Sequence, residues 1–315
     1  MTTLNSNATE QQSPTFGFWV WLMAPERRGA LLITPAIVLL FAMNILPLMW
    51  SFGLSFFRYR ANRLNPPEFL GWDNMFRNYE KVTSSSAIWD SFQTTAIIVA
   101  GSVTLQVIIG FLLALMFARE FPFRKILLSM VLTPMMLSFV AVGVFFKFFY
   151  EPSFGLLSQA IRVFTGEPYI LLGTKWGSIW GIIIADAWMW SPFVMLLVLA
   201  GLVSVPKYLY EAADIDRASW FRRFRTITFP YIKSLLLLAV LFRTIETFKL
   251  FDLVYIITEG GPGSATETLS VYVYRQGFQY FRTSDASALG YILLFVVIVL
   301  TNLYLYVVNR RSEEL

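Results

Sequence analysis

Six apolar runs, at residues 29–57, 89–118, 126–150, 176–203, 233–257 and 284–309, set what this chain can fold into. About 20 apolar residues in a helix cross the hydrocarbon layer of a bilayer, where backbone polar groups must be satisfied inside the protein. The runs therefore predict an all-α integral membrane protein with six transmembrane helices. Several runs exceed the minimum, which permits tilt or extension beyond the bilayer. Only 14% of residues are charged and 57% are hydrophobic, whereas soluble domains carry about 25% charged residues. The first run is longer than a signal-peptide core and no small-residue cleavage site follows it, so it is read as retained.

What is missing closes most enzymology. The chain has no cysteine and no histidine. Disulfide frameworks, thiolate and imidazole metal sites, and His-based acid–base chemistry are excluded together. The net charge of +5 sits beside apolar runs, which reads as membrane orientation and not as nucleic-acid binding.

Six spans put both ends of the chain on one side. With that side inward, the inner segments hold thirteen Lys and Arg and the outer segments nine. The excess favours cytoplasmic termini. The first outer loop dissents, with Arg58, Arg60, Arg63, Arg77 and Lys81. This division gives a cytoplasmic tail at 1–28 with an interfacial aromatic stretch FWVWLM (Phe18–Met23), a first span at 29–57 and a periplasmic loop at 58–88. A five-helix core follows at 89–309, with a cytoplasmic loop at 204–232, and then a tail at 310–315. Pro35, Pro47, Pro134 and Pro192 interrupt spans, which is tolerated where neighbours or water satisfy the freed groups.

Charges inside spans are costly and call for a reason. FRTIETFKLFD in the fifth run sets Arg243, Glu246, Lys249 and Asp252 three apart with alternating sign. Each reaches its neighbour on a helix, and the series wraps half the circumference. Two readings fit: mutual neutralisation near the span ends, or a polar translocation path with Glu246, Lys249 and Asp252 beside it. IADAWMWSPF in the fourth run puts Asp186 beside Trp188, Trp190 and Ser191. Aromatic rings near a hydrogen-bonding group suit the two faces of a sugar; the other reading is an Asp paired with Arg243 or Lys249 and tryptophans that pack. Lys147 near the outer end of its span snorkels. TEGGPGSATET (258–268) is a turn, and no phosphate-binding G-x-x-x-x-G-K-[ST] loop exists in the chain. ATP-driven work would therefore require another chain.

The polar stretch EAADIDRASWFRRFRTITFP (211–230) separates two apolar runs. Ser204 and Pro206 predict a helix over 206–216, about 16 Å long, presenting Glu211 beside two small alanines. Phe221, Phe224 and Ile227, spaced by three with arginines between, predict a second, amphipathic helix along the inner face. Physics alone leaves two readings for this region, a docking element for a cytoplasmic protein or an interfacial helix.

The stretch resembles the EAA motif of binding-protein-dependent ABC importer permeases. FLGWDNMFRNY (69–79), YEPSFGLLSQ (150–159), WSPFVMLLVLAGLVSVPKYLYEAA (190–213) and FDLVYIITEGGP (251–262) resemble, in order, the maltose-type sugar permeases of that family. The resemblance implies a type I importer fold with a MetI-like core. It also implies a second permease subunit, a dimer of ATPase subunits that binds ATP and Mg, and an extracytoplasmic solute-binding protein. Glu211, Ala212 and Ala213 would seat in a cleft of the ATPase, with Asp216 at the turn. The family's glycine falls on Arg217, so either the turn is built differently or Arg217 adds a contact. An alternative from another class is an ion-coupled secondary transporter using Asp186 and Glu246.

Overall fold

The computed structural model describes residues 25–313; the FWVWLM stretch and residues 314–315 lie outside the described residues. The first span is built from α1 (Pro25–Leu40) and α2 (Leu46–Leu54), joined through a π turn at Phe41–Ile45. Pro47 stands in the first turn of α2, where its missing N–H costs little. The most apolar window of this span has none of its surface buried.

The loop that follows is not featureless. β1 (Phe57–Arg58) pairs antiparallel with β2 (Glu68–Phe69), and α3 (Arg77–Thr83) leads into the second span, α4 (Ser86–Phe117). Asn78 is buried and donates to the carbonyls of Ser55 and Phe57 at 2.7 and 2.9 Å, which folds the loop back onto the end of α2.

The third run departs from the single straight span expected over 126–150. α5 (Arg124–Leu132) and α6 (Phe139–Phe149) meet at a 98° bend. Pro134 withholds a backbone donor and lies in a 3-10 turn at Thr133–Met136. Ser138 then caps α6 by accepting from the Ala141 N–H at 3.2 Å. Proline stops one helix and serine starts the next. Pro192, by contrast, sits inside its helix without ending it.

After α7 (Leu156–Thr165) comes α8 (Lys175–Val203), the axis of the molecule, with two thirds of its apolar window buried. One hydrophobic cluster joins Ile98, Val142, Phe146, Ile179, Ile183 and Val254 around one half of α8; a second joins Phe117, Val194, Met195, Val198 and Ile232 around the other. A Cβ on Gly110 of α4 would lie 2.7 Å from the Ser191 carbonyl and 2.9 Å from the Met195 nitrogen. The two backbones touch there, as small residues permit in membrane helix pairs.

α9 (Lys207–Ile215) and α10 (Trp220–Arg223) connect α8 to the fifth span, α11 (Phe229–Phe248). α10 runs through a π turn at Phe224–Thr228 into α11, so Trp220–Phe248 is one continuous span. The separate amphipathic helix expected there is the root of that span. At its far end the span stops at Phe248, short of the expected 257. α12 (Asp252–Thr258) turns away and buries Leu253, Val254 and Ile257 in the first cluster. α13 (Leu269–Tyr274) and the last span, α14 (Thr283–Glu313), complete the chain. The side chains of Tyr291 and Tyr304 donate to the carbonyls of Leu48 and Leu237 at 2.5 and 2.6 Å, so α14 bridges the first span to the core.

Candidate functional site

The 204–228 connection has its own internal architecture. Ser204 closes α8, donating to the Gly201 carbonyl at 2.8 Å, and so does not start α9 as expected; Pro206 takes the N-cap position. α9 spans Lys207–Ile215 with Asp216 as its C-cap. Beyond it, the Arg217 N–H donates to the Asp214 carbonyl at 3.1 Å and the Ala218 N–H to the Ala213 carbonyl at 2.9 Å. That pair of bonds is a Schellman ending, and it needs a left-handed residue between cap and reversal. Arg217 supplies it, with φ +50°. The turn is thus the one glycine would make, formed by an arginine at a cost of about 1–2 kcal/mol.

Two contacts tie α9 to the root of α11, and ring contacts tie that root to α4. Arg223 pairs with Asp214, and its Nε donates to the Ala218 carbonyl at 2.8 Å. Tyr210 and Thr228 share a hydroxyl bond of 2.9 Å. Trp220 stacks on Phe224 at 5.7 Å, and Phe224 in turn meets Phe111 of α4 edge-on at 6.0 Å. Glu211, Ala212, Asp216 and Arg217 face outward; Ala213 is 7% exposed and points into the loop. α9 is thus fastened to the root of α11 by an ion pair and a hydroxyl bond. Asp214, Tyr210 and Arg223 were not singled out from sequence; the acid and the base nine residues apart were its only trace.

Deep in the bundle a second constellation closes between three helices. Asp186 of α8 and Arg243 of α11 pair at 3.2 Å, at 0% and 2% exposure. Gln106 of α4 donates to Asp186 Oδ2 at 2.7 Å and accepts from Arg243 Nε at 3.0 Å. Arg243 also donates to Thr247 Oγ1 at 3.2 Å, and its guanidinium lies 4.3 Å over the Trp190 ring. Of the two partners open to Asp186, Arg243 is the one that binds it. Lys249 pairs instead with Glu246 at 3.0 Å on the exposed surface. Asp252 belongs to α12, beyond the end of α11, so the four-charge series does not run along one helix as expected. Gln106 and Thr247 went unmarked in the sequence reading, though a polar side chain within an apolar run is itself a signal.

Trp188 and Ser191 have a different setting. They line a cavity of about 550 Å³ between α4, α5 and α8, opened by the bend at Pro134. Trp188 is 41% exposed and stacks on Phe145 at 5.9 Å. Ser191 is buried, its hydroxyl donating to the Ala187 carbonyl at 2.5 Å. Lys147, expected to snorkel, pairs with Glu259 at 3.5 Å. The 258–268 turn is held by Arg275, which binds Glu267 at 2.8 Å.

Residues 106–314, from the buried Gln106 through the locked α9 to the last span, match the model of the binding-protein-dependent transport system inner membrane component. The chain belongs to that family. The permease is 34% identical over 288 residues to the trehalose/maltose transport system permease protein MalF of Thermococcus litoralis, covering 90% of this chain and 95% of that one. It is 29% identical to the sulfoquinovosyl glycerol transport system permease protein SmoG of Agrobacterium fabrum, covering 96% and 97%. Among solved structures it is similar to a chain of a bacterial alginate ABC transporter in complex with an alginate pentasaccharide-bound periplasmic protein, at a TM-score of 0.76 and 20% identity, covering 95% and 97%. The likeness shows the fold, that of an ABC transporter permease. The permease is a multi-pass inner-membrane protein of binding-protein-dependent transport, and nothing in these likenesses supports the ion-coupled alternative.

Proposed function

We propose that the permease is the membrane-spanning subunit of an ATP-driven carbohydrate importer working by alternating access. In this reading α9 seats in a partner ATPase subunit on the cytoplasmic side, and that partner, as a dimer, binds ATP and Mg. A second permease subunit meets the exposed helices, and a solute-binding protein delivers the carbohydrate from outside. Both termini are cytoplasmic, as the excess of Lys and Arg on the 204–228 side favours. The observation that carries the reading is the lock between α9 and α11: Glu211 is presented outward on a helix fastened to the root of a span. Relatives named for trehalose, maltose and a sulfoquinovosyl glycerol, matched over nine tenths or more of this chain, support the carbohydrate class.

The solute path is assigned to residues that line the cavity or stand exposed beside it. Trp188 and Ser191 line the cavity beside α8, and the Trp188 indole offers the flat apolar face a sugar ring needs. Glu246, Lys249 and Asp252 are exposed and supply polar contacts near the other end. Asp186 and Trp190 act on the path from behind, by holding α4, α8 and α11 in one arrangement.

The test separates the drive. Uptake of a labelled disaccharide by vesicles carrying the whole importer should stop when internal ATP is withheld and continue when an ionophore collapses the ion gradients. Uptake that tracks the gradient and ignores ATP overturns the proposal.

A further inference from the structure

The arginines of the first loop have no role in that account, and the fold gathers them. Where the first and last spans end, opposite the α9 end, a polar pocket of about 320 Å³ opens between the 58–70 loop, α3 and the start of α14. Six cations line it: Arg58, Arg60, Arg63, Arg77, Lys81 and Arg282. Two carboxylates also line it, and both are engaged, Glu68 by Arg58 and Asp285 by Lys81. Among the described residues no carboxylate lies within ion-pair distance of Arg60, Arg63, Arg77 or Arg282. Six cations against two carboxylates thus line one concavity, and four of the arginines have no carboxylate partner, Arg282 lying 5.9 Å from the Tyr280 ring. Like charges so placed repel, and an anion with several acceptor oxygens relieves the repulsion through forked hydrogen bonds.

The depth of the pocket says where the anion comes from. Arg58 follows the end of α2 by four residues and Arg282 immediately precedes α14. Trp72 and Phe76 on the same loop are 83% and 56% exposed, and Trp89 at the start of α4 is 60% exposed. Exposed aromatic rings at span ends mark the headgroup level of a bilayer. Beside the pocket the first span offers Met49, Trp50 and Phe52, all exposed, as a surface for acyl chains. We propose that this pocket binds the phosphodiester headgroup of an anionic phospholipid, adding to the bonds by which the Tyr59 and Ala61 N–H groups donate to the Ser284 and Thr283 hydroxyls and join the first span to the last. An acidic surface of a protein partner is the competing occupant; the position at headgroup depth favours the lipid.

Native mass spectrometry of the full chain, released from detergent with equal amounts of phosphatidylglycerol and phosphatidylcholine, decides it. Wild type should retain phosphatidylglycerol roughly tenfold over phosphatidylcholine, and Arg60→Gln/Arg63→Gln/Arg77→Gln should lose that preference while melting as wild type does. If the triple variant fails to fold, Arg60→Gln/Arg63→Gln, confined to the exposed loop, carries the decision and should cut the preference by at least half. Equal retention of the two lipids by wild type, or a preference unaffected by the folded variant, overturns the proposal. Displacement of the lipid by millimolar inorganic phosphate overturns the lipid source in favour of a free anion. Binding of polyglutamate through these arginines without lipid preference overturns it in favour of an acidic protein partner.

Discussion

Asp186 shows how one residue's meaning depends on who faces it. Within the fourth run it is a carboxylate among tryptophans, and that pattern fits a sugar site. In the fold it is enclosed, bound by Arg243 and Gln106. Helical phase explains which basic residue it takes. Thr247 lies one turn beyond Arg243 and shares its inward face, whereas Glu246 and Lys249 fall on the exposed side and pair there. Sequence spacing shows that four charges neighbour one another; it does not say which turns inward, because that depends on where α8 packs. Gln106 was hidden for the same reason. Removing one member of a buried pair leaves the other uncompensated, so Asp186→Ala should destabilise the permease by about 3–5 kcal/mol. Asp186→Asn keeps one oxygen for the Gln106 and Thr247 donors, at 2.7 and 3.4 Å, but turns its amide nitrogen toward Arg243, so it should destabilise less than alanine. Thermal melting of both variants in one detergent checks the order, and equal melting of Asp186→Ala and wild type would contradict the clasp.

At the scale of elements, the second and fourth runs match α4 and α8 to within three residues, whereas the third and fifth runs depart from the structure. The bend in the third run and the early end of the fifth have local causes. Pro134 with Ser138 bends the third run by 98°, and the fifth run ends at Phe248 because Leu250 and α12 find burial against α6 and α8. Hydropathy registers apolar length and is blind to both. The α9 turn bears on one of the two expectations for Arg217, a turn built differently or an added contact: the turn keeps the form glycine would give it, with Arg217 held at φ +50°. Arg217→Gly should relieve the left-handed strain while adding unfolded-chain entropy, for a net stabilisation of about 0.5–1 kcal/mol. A higher melting temperature for the variant is the expected result; a lower one means that Arg217 makes a contact worth more than the strain.

Across the whole molecule, the outward side chains divide into two kinds. The apolar ones on the first span and α14 are exposed toward the surroundings of the chain. The polar ones of α9 are held rigidly on a span root, and that is the arrangement a lever requires. Membership in the family was legible from the EAA-like stretch, while the fastening of that stretch by Arg223, Asp214, Tyr210 and Thr228 was legible only once α9 and α10 folded against each other. The central claim is that force enters through Glu211. Its most direct test is Glu211→Lys in the assembled importer reconstituted with its solute-binding protein. Glu211 is exposed and makes no ion pair among the described residues, so the variant should insert and fold normally. The account predicts that solute-stimulated ATP hydrolysis and uptake then fall at least tenfold together. Wild-type stimulation and uptake in that variant would contradict it.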